Sequence, residues 1–157
     1  MRIAVLADTH VPSRLGSVQG RVYEECADSD LILHAGDLVE ADVLRDLERF
    51  ADVRAVRGNM DDASLQNALP DKQIFELEGF RIGLTHGSGA PLGITSRVLR
   101  TFGGQELDII IHGHSHHYSL QRMDDLMILN PGAVVDRSFA VLTLQSGEEP
   151  QVEHITF

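Results

Sequence analysis

Ile3-Ala4-Val5-Leu6-Ala7-Asp8-Thr9-His10 is a run of five apolar residues that ends in three polar ones. Two later segments have the same character, since residues 31–34 (Leu-Ile-Leu-His) and 53–56 (Val-Arg-Ala-Val) are short and rich in β-branched or apolar side chains. Gly, Asp or Asn bounds each of these segments. Segments this short predict strands rather than helices.

The segments between these strands show helical spacing of apolar residues. Residues 18–27 and 41–50 are amphipathic, and in the second segment Val43, Leu44, Leu47 and Phe50 share one face. The order strand, helix, strand, helix, strand predicts parallel pairing of the strands through right-handed crossovers.

After Pro70 the pattern changes to strands with a single helix. Two alternating segments, 73–78 and 80–84, flank Glu-Gly and predict a hairpin. A helix is predicted over 94–102, and further strands are predicted over 108–111, 126–129, 139–144 and 152–157. The sequence therefore predicts a mixed α/β fold of two sheets with helices outside, as one domain over residues 1–157.

Composition limits the class of protein and of partner. The chain has 157 residues, 13 Lys and Arg against 24 Asp and Glu, and a formal net charge of −11. This balance argues against polymeric nucleic acid as a partner, which requires clustered cations. The single Cys26 excludes an internal disulfide and suits a reducing compartment. No apolar run approaches the ~20 residues of a membrane span, and no leader pattern is visible, so we expect a cytoplasmic protein without a membrane partner.

Residues that can bind metals follow five of the predicted strands. They are Asp8, His10, Asp37, Asn59, His86, His114 and His116. Ligand sites in open α/β sheets lie beyond the carboxyl ends of strands, so these side chains are expected at one edge. A set of carboxylate, amide and imidazole groups without thiolate suits Mn, Fe, Ni or Zn, and suits calcium or a structural zinc poorly. Seven candidates exceed one tetrahedral site and favour two metals with a bridging carboxylate.

The order of these motifs also resembles a known family. Asp-x-His, Gly-Asp, Gly-Asn, His-Gly and Gly-His-x-His follow one another as in the calcineurin-like metallophosphoesterases, and Asn130-Pro131-Gly132 after a late strand resembles their small single-domain phosphodiesterases. The resemblance extends from Ile3 to about Leu144. It implies a two-sheet sandwich in four α/β/β/α layers.

The resemblance further implies a role for each of the seven side chains. The first metal would be bound by Asp8, His10 and His116, the second by Asn59, His86 and His114, and Asp37 would bridge the two. Mn is the first choice of metal, with Ni, Fe or Zn as alternatives. A hydroxide bridging the metals would hydrolyse a small soluble phosphodiester, and Asp37, Asn59 and His86 would act in catalysis through the metals.

One position departs from many family members. The residue after Gly58-Asn59 is often a His that protonates the leaving alkoxide, whereas this chain has Met60 there, followed by Asp61 and Asp62. In the small phosphodiesterase branch this position is also commonly not His. Because Met cannot donate a proton, we expect activity to favour esters with good leaving groups.

Two other functions compete with hydrolysis of a small substrate. Some relatives in membrane-trafficking complexes are non-catalytic scaffolds on the same fold, but that alternative predicts lost ligands, and all seven positions are filled here. A nuclease of the superfamily usually carries appended domains, and the charge of −11 argues against it. The walls of a substrate pocket would come from short loops or from a neighbouring subunit. A homo-oligomer is therefore one of the alternatives.

The remaining polar candidates receive simpler interpretations. We interpret His34 as packed beside the site and His112 as a support of its loop. His117 is a candidate for substrate contact, and His154, away from all motifs, receives no role. Arg14, Arg57 and Arg97 could contact phosphate but are interpreted as surface or salt-bridge residues. Cys26 is expected in the core.

Overall fold

The computed structural model describes all 157 residues, which form ten strands, four α-helices and one short 3-10 helix. The strands are β1 (Arg2–Leu6), β2 (Leu31–His34), β3 (Asp52–Ala55), β4 (Lys72–Leu77), β5 (Phe80–Thr85), β6 (Ile109–Ile111), β7 (Ser119–Met123), β8 (Leu126–Asn130), β9 (Ser138–Thr143) and β10 (Gln151–Thr156). The helices are α1 (Gly20–Ala27), α2 (Ala41–Leu47), α3 (Ala63–Ala68), α4 (Ile94–Thr101) and the 3-10 helix Val134–Asp136. None of these helices combines the length and the apolar character needed to cross a membrane.

The strands form two five-stranded sheets. In the first sheet, with the order β10-β9-β1-β2-β3, strands β1, β2 and β3 are parallel, as the strand–helix alternation predicts, and β9 and β10 are antiparallel. In the second sheet, with the order β4-β5-β6-β8-β7, β4 and β5 form the predicted hairpin and β5, β6 and β8 are parallel. Both sheets are therefore mixed.

Side chains alternate between the two faces of each strand, so each sheet packs against the other sheet on one face and against helices on the opposite face. This gives four layers. In β1, Ile3 and Val5 lie in the core between the two sheets, which also contains residues of β5, β6 and β8. Ala4 and Leu6 point to the opposite face, where they pack with buried residues of α1, α2 and α3. Helix α4 covers the outer face of the second sheet. The predicted α/β/β/α arrangement is confirmed.

Three elements were not predicted from the sequence, namely β7, α3 and the 3-10 helix Val134–Asp136. Strand β7 consists of Ser-Leu-Gln-Arg-Met, which shows no buried face because β7 is the exposed edge of the second sheet, paired only with β8. Helix α3 has six residues with only Leu65 buried, so no apolar period can be recognised in it. It is capped by Asp62, whose carboxylate accepts a 2.9 Å hydrogen bond from the Leu65 amide.

Helix α2 was predicted, but it ends at Leu47, three residues before the predicted end at Phe50.

Candidate metal centre

The seven predicted metal-binding residues lie at the same edge of the two sheets. They follow β1 (Asp8, His10), β2 (Asp37), β3 (Asn59), β5 (His86) and β6 (His114, His116). These five strands run parallel within their sheets and end on one side, so their following loops meet there. The fold therefore brings all seven candidate side chains together.

Three of these side chains form a first group around one point. Nε2 of His10 lies 3.3 Å from Nε2 of His116, and Oδ1 of Asp8 lies 3.8 Å from the former and 3.4 Å from the latter. Asp8 and His10 are buried and His116 is half-buried. The three ligand atoms therefore face each other at the floor of the site.

Three further side chains form a second group. Oδ1 of Asn59 lies 3.2 Å from Nε2 of His86 and 3.1 Å from Nδ1 of His114, and the two ring nitrogens are 3.2 Å apart. The group thus combines one neutral oxygen ligand with two imidazole nitrogens.

Asp37 lies between the two groups. Its Oδ2 is 3.6 Å from Nε2 of His10 in the first group and 3.4 Å from Nε2 of His86 in the second. Its Oδ1 accepts a 2.7 Å hydrogen bond from the backbone N–H of Met60, which fixes the orientation of the carboxylate. One oxygen of Asp37 therefore faces both groups at once.

The two groups have the spacing and chemistry of metal sites. Ligand atoms bonded at about 2.1 Å to one ion lie roughly 3.0–3.5 Å apart, close to the separations within each group. Oδ1 of Asp8 and Nδ1 of His10 are buried and have no hydrogen-bond partner. Because an unpaired buried carboxylate oxygen is costly, a cation at this point would satisfy it. The nitrogen and oxygen ligands fit divalent first-row ions.

Backbone strain is concentrated at the same residues. Asp8, His10, Asp37, His114 and His116 all have φ between 50° and 70°, in the left-handed region. Each non-glycine residue in this region costs on the order of 1–3 kcal/mol and persists only where its surroundings hold it there. Five of the seven candidate ligands share this feature, which points to a functional rather than a packing constraint.

Charge and burial set the protonation of the site. Burial is the largest influence on His10 and lowers its pKa, against the opposing charges of Asp37 and Asp8. Burial also acts to lower the pKa of His86, but the hydrogen bond to Asp37 and the charges of Asp8 and Asp37 outweigh it, so that the pKa is raised. His34 is fully buried, which lowers its pKa to about 4 and makes it neutral at pH 7. The two buried carboxylates thus create a negative field that favours cations.

Each of three imidazoles is held by a contact on the ring nitrogen that faces away from the groups. Nδ1 of His86 lies 2.7 Å from the carbonyl of Ala35, and Nε2 of His114 lies 2.8 Å from the carbonyl of Gly89. Nδ1 of His116 lies 2.9 Å from the carboxylate of Asp136. Such contacts place the N–H on the outer nitrogen and leave the inner one free to bind a metal.

Asp61 connects the loops that carry Asp37 and Asn59. Its buried carboxylate accepts two 2.7 Å hydrogen bonds, one from the N–H of Val39 and one from the N–H of Gly58. The loops are so close that a Cβ at Gly58 would lie 2.1 Å from Oδ1 of Asp37, and only glycine fits there. Neither Asp61, two positions after Asn59, nor Asp136 belongs to a motif of the sequence that indicates such a role.

The other histidines lie around or outside the centre. His34 is packed beneath it, with Nδ1 accepting a 3.2 Å hydrogen bond from the N–H of Gly36. His112 is buried and its Nδ1 lies 3.0 Å from the carbonyl of Gly113, in the loop it was predicted to support. His117 is exposed and forms its hydrogen bond with the Ser115 carbonyl, and His154 bonds to the Ser138 hydroxyl at 2.8 Å, away from both groups.

The arginines differ from one another. Arg57 forms the predicted salt bridge, with Nε 2.6 Å from Oδ1 of Asp71. Arg97 makes no ion pair, and its guanidinium donates instead to backbone carbonyls of residues 88–92. Arg97 thus lies at the surface, one of the two interpretations given to it, and its partners are backbone carbonyls of a loop rather than a carboxylate.

Comparison with known proteins supports one family. Residues 1–147 match the calcineurin-like phosphoesterase superfamily domain. A protein of Methanothermobacter thermautotrophicus named "Probable metallophosphoesterase" is 39% identical, with 99% of this chain and 92% of that protein aligned. A phosphodiesterase of Methanocaldococcus jannaschii is 25% identical, with 84% and 83% aligned.

Structural similarity agrees with these matches. Vps29 of Chaetomium thermophilum superposes with a TM-score of 0.82 over 99% of this chain and 97% of that chain, at 20% identity, so it shares the fold. The resemblance read from the order of the motifs is confirmed. The chain belongs to the calcineurin-like phosphoesterase superfamily, and the activity that this membership indicates is metal-dependent hydrolysis of phosphoric esters.

Proposed function

We propose that the protein is a phosphodiesterase that uses two divalent metal ions to hydrolyse a small phosphoester. The observation that carries this proposal is the position of Asp37, whose Oδ2 lies 3.6 Å from His10 and 3.4 Å from His86. A carboxylate oxygen between two complete groups of ligands is the arrangement that two neighbouring ions require. We take Mn as the first choice of metal, with Ni, Fe or Zn as alternatives.

Each group of residues has a defined part in this proposal. The first ion would be held by Asp8, His10 and His116, the second by Asn59, His86 and His114, and Asp37 would bridge them. Bound ions supply charge neutralisation of the phosphoryl oxygens and lower the pKa of a bound water. The protein's own contribution is orientation, since the contacts to Ala35, Gly89 and Asp136 hold three of the imidazoles in place.

The surface beside the second group supports a small polar substrate. A cavity of about 330 Å³ adjoins Asn59 and His86, and none of its ten lining residues is hydrophobic. Its hydrogen-bonding groups include the side chains of Gln66, Ser88 and Thr101. Such a lining can bind hydroxyl groups of a phosphoester but provides no apolar face against which a nucleobase could stack. This lining and the net charge of −11 disfavour polymeric nucleic acid.

Met60 bears on the choice of substrate. Its side chain is exposed and has no ionisable group, so it cannot protonate a leaving alkoxide. No other side chain of the second group compensates, because the N–H of His114 and the N–H of His86 are directed to backbone carbonyls. We therefore propose substrates whose alcohol leaves without strong acid assistance.

The competing function is a non-catalytic scaffold on the same fold. The fold it shares with Vps29 is compatible with that role, whereas the convergence of all seven candidate ligands supports hydrolysis.

The test is a metal reconstitution. Protein stripped with a chelator is reloaded with Mn, Ni, Fe or Zn, its metal content is measured, and hydrolysis of bis(p-nitrophenyl) phosphate and p-nitrophenyl phosphate is followed. We expect two ions per chain and faster hydrolysis of the diester. Two bound ions without hydrolysis of any diester or monoester would refute the proposal in favour of the scaffold.

A further inference from the structure

The loop between β5 and α4 is held by one guanidinium group. Nε of Arg97 donates a 2.6 Å hydrogen bond to the carbonyl of Ser88, Nη1 donates a 3.3 Å bond to the carbonyl of Leu92, and Nη2 donates to the carbonyl of Ala90. Arg97 lies on α4 and reaches back over residues 88–92. Three carbonyls of one short loop thus accept hydrogen bonds from a single side chain.

Gly89 lies directly under this guanidinium. Its φ is +77°, and a Cβ at this position would lie 3.0 Å from Nε of Arg97. Gly93, which ends the loop, also has a positive φ of +78°. Glycine gives the loop little stiffness of its own, so its conformation has to be set from outside. Arg97 supplies that constraint.

The carbonyl of Gly89 points to the metal centre. It accepts a 2.8 Å hydrogen bond from Nε2 of His114. A neutral imidazole carries one N–H, so this bond keeps the proton on Nε2 and leaves Nδ1 to face Asn59 and His86. Among the four imidazoles of the centre, His114 alone presents Nδ1 rather than Nε2. Its orientation therefore depends on where the Gly89 carbonyl is held.

We infer that Arg97 is a positioning residue for the second metal-binding group. It acts through the Gly89 carbonyl to fix the rotamer and the tautomer of His114, and this inference rests on the proposed two-metal function. Without Arg97 the three carbonyls lose their donors, the glycine-rich loop moves, and the Nδ1 of His114 is no longer held towards Asn59. The first group, built on Asp8, His10 and His116, has no contact with this loop among its hydrogen bonds.

The test compares Arg97→Ala with Arg100→Ala as its matched control. Arg100 lies one turn further along α4, is exposed, and donates only to the carbonyl of Ser96 within its own helix. Calorimetric titration of the chelator-stripped proteins with Mn²⁺ is expected to show two binding events in the wild type and in Arg100→Ala. In Arg97→Ala one event is expected to weaken by about tenfold and the other to stay unchanged. Arg97→Lys, with a single ammonium for three carbonyls, is expected to resemble Arg97→Ala.

A second measurement follows the His114 ring itself in the metal-free proteins. Proton–nitrogen NMR spectra should show a fixed Nε2–H tautomer in the wild type and in Arg100→Ala, and a mixture of tautomers in Arg97→Ala. Gly89→Ala, which places a methyl group against the guanidinium, should give the same mixture.

Either unchanged Mn²⁺ binding and an unchanged tautomer in Arg97→Ala, or an equal weakening of both binding events, would overturn the inference. None of these measurements depends on hydrolysis, so they test the role of Arg97 separately from the proposed function. If the wild type binds two ions but hydrolyses no phosphoester, while Arg97→Ala shows the expected binding defect, the proposed function is refuted and the role of Arg97 is supported.

Discussion

The backbone N–H of Met60 donates a 2.7 Å hydrogen bond to Oδ1 of Asp37. The residue after Asn59 thus serves the centre through its main chain, because this bond turns Oδ2 of Asp37 towards His10 and His86. The side chain of Met60 points to solvent and is 52% exposed. Any residue except proline has the N–H that this bond needs, so Met in place of His at position 60 leaves the proposed bridge intact and removes only a proton donor.

Replacing the carboxylate between the two groups should be more harmful than replacing a ligand of one group. Asp37→Asn retains an oxygen that can accept the Met60 amide but loses the charge shared by both groups. We expect turnover to fall by more than about 100-fold and both ions to bind more weakly. Asn59→Ala should weaken one ion only and reduce turnover less. Metal content and diester hydrolysis of both variants test this order, and an Asn59→Ala defect as large as that of Asp37→Asn would contradict it.

The missing proton donor should be visible in the choice of leaving group. With aryl phosphodiesters of increasing phenol pKa, we expect the rate to fall steeply, because no side chain at position 60 protonates the departing oxygen. Met60→His would introduce such a donor while keeping the backbone amide that holds Asp37. This variant should flatten the dependence and accelerate the poorest substrates most. A wild-type rate that is independent of phenol pKa would argue against this role of position 60.

The sequence predicted which candidate ligands meet at one edge better than it predicted the contacts that hold them in place. Asp37 and His86 follow strands that can be recognised in the sequence from their apolar residues. The carboxyl ends of parallel strands lie at the same edge of a sheet, so the residues that follow them come together. The carbonyl of Gly89 and the carboxylate of Asp136 support His114 and His116 through contacts between distant loops, which no local pattern encodes.

The same limit applies to the secondary structure. Strand β7 escaped prediction because an exposed edge has no buried face, and α3 because six residues span fewer than two turns. The partners of Arg97 could not be predicted for a related reason: whether a surface guanidinium contacts a carboxylate or a set of carbonyls depends on the loop that folds over it.

Asp61 should stabilise the fold as well as the centre. Its buried carboxylate is the acceptor for the amides of Val39 and Gly58, and Asp61→Ala would leave both without a partner. We expect the free energy of unfolding in urea to fall by about 2–4 kcal/mol. The neighbouring Asp62→Ala removes only the cap of α3 and should cost about 1 kcal/mol. Equal losses in the two variants would show that the two amides find other acceptors.

Cys26 should be unreactive in the folded protein and should make stability fall at high pH. The thiol is on α1 and lies in the core between this helix and the first sheet. Burial raises its pKa from 9.0 to about 12, and the negative charge of Glu25 acts in the same direction. Because thiolate is the reactive form, iodoacetamide at pH 8 should label the native chain far more slowly than the urea-unfolded chain.

The sign of the accompanying pH effect follows from the same shift. Below pH 9 the thiol is protonated in both states, so its contribution to stability is complete. Between pH 9 and about 12 the unfolded chain loses this proton while the folded chain keeps it, so stability falls by up to about 1.4 kcal/mol per pH unit. Cys26→Ala cannot titrate, although its smaller side chain lowers stability at every pH. Urea unfolding at pH 8 and pH 10.5 should therefore show a smaller difference between variant and wild type at the higher pH, and an unchanged difference would mean that the thiol of the folded chain ionises freely.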